Sequence, residues 1–110
     1  MLNVKYLQDG DHLLEEGDLP QASEKFWGAT AEAIKAIAEQ RGIRHFNHRD
    51  LRGMVTQLAR ETGDQEIREV FSIAESLHAN FYENYMAEDD VRFYSDRVKT
   101  LIDKLKGLLN

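Results

Sequence analysis

Residues 19–41 read LPQASEKFWGATAEAIKAIAEQR, from Leu19 to Arg41. Stepped at 100° per residue, Leu19, Ala22, Phe26, Ala29, Ala33 and Ile37 form one stripe. Trp27, Ile34 and Ala38 lie on an adjacent stripe. Together they span roughly 200° of a helix, wider than the usual single apolar face. Glu24, Lys25, Glu32, Lys35 and Glu39 fill the remaining arc. A helix apolar over that much of its girth touches neighbours on two sides. The pattern predicts the central helix of a bundle, or one that also faces a partner chain. Ala22, Ala29 and Ala33 leave room for a neighbouring helix to come close.

Punctuation on either side divides the rest of the chain into further helices. Gly17-Asp18-Leu19-Pro20 reads as a stop followed by a start: Gly17 suits the left-handed C′ position, Asp18 a cap, and Pro20 a first helical turn. Gln21 lies three residues after Asp18, as in a capping box. Gly42 is a second stop, and Asn47, three residues before Asp50, is a second capping start. Gly63-Asp64 repeats the logic, and Ala87-Glu88-Asp89-Asp90 places acids where a helix N-terminus favours them.

The spacing predicts a first helix over about 4–16 with Val4, Leu7 and Leu14 inward, and a third over about 48–62 with Leu51, Met54, Val55 and Leu58 inward. A fourth, about 64–85, turns Ile67, Val70, Phe71, Ala74, Leu77, Phe81 and Tyr85 inward. A fifth, about 89–109, turns Val91, Tyr94, Val98, Leu101, Ile102, Leu105 and Leu109 inward. No alternating strand pattern survives. The expected fold is all-α: one domain over 1–110, an up-and-down antiparallel bundle of about five helices with short connections. Leu14 to Ala33 has tetratricopeptide-like spacing, but one such unit cannot bury its own face, so it reads as a single helical hairpin within the bundle.

The chain has 110 residues, one proline and no cysteine, with 42% apolar and 31% charged residues, a globular composition. The absence of cysteine removes disulfides, thiolate metal sites and a cysteine nucleophile. There is no apolar run of membrane-spanning length and no signal-peptide pattern, so a cytoplasmic protein without membrane contact is expected.

Charge is unevenly spread. Residues 1–40 and 61–110 each carry a net charge of -5, whereas residues 41–60 carry +4, the total being -6. Arg41, Arg44, Arg49, Arg52 and Arg60 stand there against Asp50 alone, with His45 and His48 among them. Such an island either bridges to acidic neighbours, in the fold or in a second copy, or contacts an anion such as RNA.

His45 and His48 are three apart, yet a helix starts between them, which breaks the shared face a metal would need; no metal or cofactor is expected. His78 falls within the apolar arc of the fourth segment, with Glu75 and Tyr82 one turn to either side as hydrogen-bonding partners. There is no P-loop, dinucleotide fingerprint or nucleophile elbow.

Three runs carry a family resemblance. They are Leu13-Leu14-Glu15-Glu16-Gly17-Asp18, then Gln21-Ala22-Ser23-Glu24-Lys25-Phe26-Trp27-Gly28-Ala29, then Leu77-His78-Ala79-Asn80-Phe81-Tyr82-Glu83. With Arg41-Gly42 and His48-Arg49-Asp50-Leu51 between them, they resemble the archaeal PaREP family, first type. That family is similar in turn to the HEPN superfamily of nucleotidyltransferase partners and toxin RNases. The resemblance implies a HEPN-like bundle that pairs into a homodimer. His48-Arg49-Asp50-Leu51 resembles the helix-opening His-x-Asp-Leu of non-catalytic members.

The leading expectation is therefore a non-catalytic helical interaction module, a homodimer serving as accessory or substrate-binding partner of a nucleotidyltransferase-like protein. Its binding residues would be Arg41, Arg44, His45, His48, Arg49, Arg52, His78 and Tyr82. The alternative is a metal-independent RNase, or an RNA- or nucleotide-binding protein, built on the Arg41–Arg52 junction. In it Arg41 and Arg44 grip phosphate, His48 acts as general acid or base, and Asp50 orients the imidazole.

Overall fold

The structure, a computed structural model, describes residues 4–45 and 47–109. Five helices follow one another: α1 (Lys5–Glu15), α2 (Leu19–Gln40), α3 (His48–Thr62), α4 (Glu66–Glu83) and α5 (Glu88–Lys106). No strand occurs among the described residues.

The stops work as local chemistry dictates. Gly17 and Gly42 take left-handed φ values of 83° and 65°, a backbone conformation that strains residues with a side chain although there is open space around both. After α1, the Asp18 N–H donates to the Leu13 carbonyl and the Gly17 N–H to that of Leu14. After α2, Ile43 and Gly42 donate in the same way to Ala38 and Glu39. Both are Schellman endings. The Asp18 side chain accepts from the Gln21 N–H at 3.2 Å, and Asn47 from the Asp50 N–H at 2.9 Å, which caps α2 and α3 as expected.

α2 is the hub, in contact with α1, α3, α4 and α5. Phe26, Ile34 and Ile37 are fully buried, and so are the small residues Ala22, Ala33 and Ala38 that let neighbours approach. On α1, Gly10 faces the Phe26 ring so closely that a Cβ there would lie 2.8 Å from it. The α1–α2 hairpin thus closes on a glycine rather than on an apolar knob.

Three details correct the sequence reading. Val4 is the N-cap of α1, outside its first helical turn, and is 46% exposed rather than inward. α4 begins at Glu66, and Asp64 acts from just outside it by accepting from the Glu66 N–H at 3.0 Å. α4 also stops at Glu83, so Tyr85 is not an inward helical residue. Asn84 turns left-handed, with φ 48°. The Tyr85 and Met86 N–H groups both donate to Asn80 Oδ1 at 2.8 Å. Asn80 is completely buried and also donates to Ser23 Oγ at 2.9 Å, which ties the α4–α5 corner to α2. Tyr85 swings outward, and its hydroxyl donates to the Ser76 carbonyl at 3.2 Å.

Candidate functional site

The N-terminal turns of α3, the middle of α2 and the second half of α4 meet at one place. His48 opens α3, and Arg52 stands one turn later on the same face. Both reach the same carboxylate of α4: His48 Nε2 lies 2.6 Å from Glu75 Oε2, and Arg52 donates to Glu75 Oε1. The hydrogen bond to Glu75, followed by its charge, holds the Arg52 guanidinium above its ordinary pKa. On α4, His78 Nδ1 lies 2.8 Å from Glu24 Oε1 of α2.

Trp27 joins the two pairs. Its ring lies 5.0 Å from that of His48 and 5.0 Å from that of His78, stacking on the latter at 26°. The two imidazoles are 6.4 Å apart, well short of twice 5.0 Å, so they occupy one side of the indole rather than sandwiching it. Phe71 supports the indole at 5.7 Å, and Tyr82, 72% exposed, meets His78 edge-on at 5.5 Å. Each imidazole has one nitrogen committed to a carboxylate. Among the described residues, His48 Nδ1 and His78 Nε2 have no hydrogen-bond partner.

Of the residues singled out from sequence, His48, Arg52, His78 and Tyr82 come together here. Glu75 and Tyr82 do not supply the hydrogen bond to His78: Glu75 is taken by His48 and Arg52, and the carboxylate comes from Glu24 across the helix pair. Arg41 goes elsewhere. Its guanidinium donates to both oxygens of Glu61, at 2.7 and 3.0 Å. Glu61 stands near the far end of α3, about 20 Å along the helix from His48 at 1.5 Å per residue. Gln57 first and Arg41 second hold the Glu61 carboxyl below its ordinary pKa. Asp50 pairs with Arg44 at 3.8 Å, so the carboxylate that orients His48 is Glu75 and not Asp50. Arg49 is exposed on the first turn of α3, and His45 is half-buried in the α2–α3 connection. Among the described residues no cluster of three or more histidines and acids could hold a metal. No helix among them is long and apolar enough to cross a membrane.

Two clefts flank the cluster. One, of about 280 Å³, runs along the α3–α4 seam past Arg52, Arg68, Phe71 and Ser72. The other, of about 440 Å³, lies along the outer face of α2, with Tyr6 and Trp27 among its walls and Gly28 and Ala31 among its lining. Glu24, Lys25, Glu32 and Lys35 line the same groove. Sequence reading missed Trp27 and Glu24 as members of the cluster, and it gave Glu75 to His78 rather than to His48 and Arg52. Their spacing shows each on its helix, but only the packing of α2 against α4 brings them face to face.

Comparison with known proteins places the chain as follows. The family model of the archaeal PaREP1/PaREP8 family matches residues 1–102. No curated protein matches the chain. A crystal structure of a protein from Sulfolobus solfataricus superposes with a TM-score of 0.84 at 24% identity, over 96% of this chain and 93% of that one, a likeness of fold.

Proposed function

The chain belongs to the archaeal PaREP1/PaREP8 family, and we propose on that premise that it is a non-catalytic helical interaction module working as a homodimer. The observation that carries this reading is the state of α2. It already contacts every other helix, and it still leaves an open groove of about 440 Å³ along its outer face, walled by aromatic rings and lined by alternating charge. The arginines support it too. Arg41, Arg44 and Arg52 are engaged by Glu61, Asp50 and Glu75, and so act as ties within the fold. A nucleotidyltransferase-like protein is the heterologous partner this reading carries, with the dimer as its accessory or substrate-binding subunit. Light scattering at micromolar concentration tests the core of the reading. The expected mass is twice that of the chain, and a stable monomer mass would overturn it.

A second reading, metal-independent RNA cleavage, is favoured by one observation: the paired imidazoles beside Trp27, each tethered to a carboxylate and each with a nitrogen that has no partner among the described residues. One would take the proton from a 2′-hydroxyl, and the other would protonate the leaving oxygen. Incubation of mixed RNA in chelator decides it. Cleavage by the wild type that vanishes in both His48→Ala and His78→Ala would establish this reading; intact RNA would remove it.

A further inference from the structure

Along the groove of α2, Gln21, Glu24, Gly28, the nearly buried Ala31 and Lys35 follow one another at spacings of three, four, three and four. That is the spacing of a helical seam, the row along which one helix receives another. The row spans about 21 Å at 1.5 Å per residue. Its charges are ordered: an acid at one end, Glu24, a base at the other, Lys35, and small residues between. Beside the row, Lys25 and Glu32 form a second pair, one turn inside each end. Among the described residues, Lys35 is exposed and makes no ion pair.

We propose that a second copy of this chain packs its α2 antiparallel into this groove, with Gly28 facing Ala31 of the second copy and Glu24 facing Lys35 of the second copy. This inference rests on the homodimer reading and specifies its register. In a two-fold interface a contact made by one residue on another is returned by the partner. The antiparallel arrangement about the midpoint between Gly28 and Ala31 therefore makes the Glu24–Lys35 pair twice. It also brings Lys25 of each copy level with Ile34 of the other, about 3 Å along the axis from Glu32. A parallel arrangement would set Glu24 against Glu24 and Lys35 against Lys35, so like charges exclude it. Gly28 and Ala31 stand at the centre, at the floor of the groove: Ala31 is nearly buried, and the Tyr6 ring of α1 lies against Gly28, 3.6 Å from where a Cβ would stand, and forms the wall.

The register also connects the interface with the aromatic cluster. Glu24 is the residue that holds His78 Nδ1, at 2.8 Å. In the dimer Lys35 of the second copy joins that carboxylate, while Glu32 of the second copy comes level with Trp27. Each histidine–tryptophan cluster is thus completed by the other protomer. Tyr82 stands exposed beside His78, the histidine that Glu24 holds.

Charge exchange tests the register. Glu24→Lys places a lysine opposite Lys35 in its own dimer, and Lys35→Glu places a glutamate opposite Glu24. Sedimentation equilibrium should show each variant alone with its dimer dissociation constant raised by about tenfold or more, as two repeated pairs turn repulsive. An equimolar mixture of the two should form a heterodimer at least as tight as wild type, because every pair is then complementary. The double variant carrying both changes should also dimerise. Lys35→Glu breaks no ion pair within the described fold, and circular dichroism of each variant confirms that it is folded. A wild-type dimer whose affinity neither single variant changes would overturn the register and leave the homodimer standing. A monomeric wild type would overturn both.

Discussion

α2 and α3 are neighbours in the chain and are held in place by different physics. α2 buries ten residues distributed around its girth, from Ala22 to Ala38, and has partners on nearly every side. α3 buries five, Leu51, Met54, Val55, Leu58 and Ala59, all on one stripe. Its remaining attachments are polar: Arg41 to Glu61 at one end, and His48 and Arg52 to Glu75 at the other. Part of the positive island, Arg41 and Arg52 with His48, therefore fastens a peripheral helix to the rest of the bundle, while Arg49 and Arg60 stand exposed on it. Charge density alone does not distinguish a ligand grip from such a fastening; the pairing does.

The contrast can be broken at several depths. Phe26→Ala removes a fully buried ring from the hub and should cost about 3–5 kcal/mol by denaturant titration, felt by the whole fold. Asn80→Ala should follow at about 2–4 kcal/mol, since the Tyr85 and Met86 N–H groups lose their shared acceptor in a buried corner. Glu75→Gln should cost less, about 1–2 kcal/mol, because it loosens two ties at once but only at the edge of the bundle. Hydrogen exchange sharpens the comparison there. Amides of α3 should exchange faster in Glu75→Gln while those of α2 stay protected, and uniform acceleration would mean that α3 is not a separable element.

The smallest expected effect is that of acid. The Lys104 hydrogen bond first, then the backbone N–H of Glu66, holds Asp64 below its ordinary pKa, and Gln57 and Arg41 do the same for Glu61. A carboxylate whose pKa is depressed in the fold stabilises it above the unfolded value, about 4, and that contribution disappears as the pH falls through the folded value. Thermal melts should thus be flat from neutrality to about pH 5 and decline below it, with a slighter decline in Lys104→Ala.

Much of this architecture was legible. The double stripe of Leu19–Arg41 announces a helix with neighbours all round, and Gly17, Gly42, Asp18 and Asn47 mark the ends where they lie. Helical periodicity and capping are local properties, so the sequence displays them. The end of α4 was not legible, since Tyr85 keeps the apolar period. A buried Asn80 captures the next two N–H groups and turns the chain outward, and its strength depends on burial against Ser23. The site was half legible for the same reason. His48 and Arg52 share a helix face, but Glu75, Glu24 and Trp27 join them only through the packing of three helices. Arg41, which the sequence groups with His48, is paired with Glu61 near the other end of α3.

The chain has a single tryptophan, Trp27, and it sits between the hub and the open groove. Its emission, followed on dilution from micromolar to nanomolar concentration, tests most directly whether the exposed face of α2 is covered by a second copy. A red shift whose midpoint coincides with the fall from dimer to monomer mass is the predicted result. Constant emission, with a monomer mass at every concentration, would contradict it.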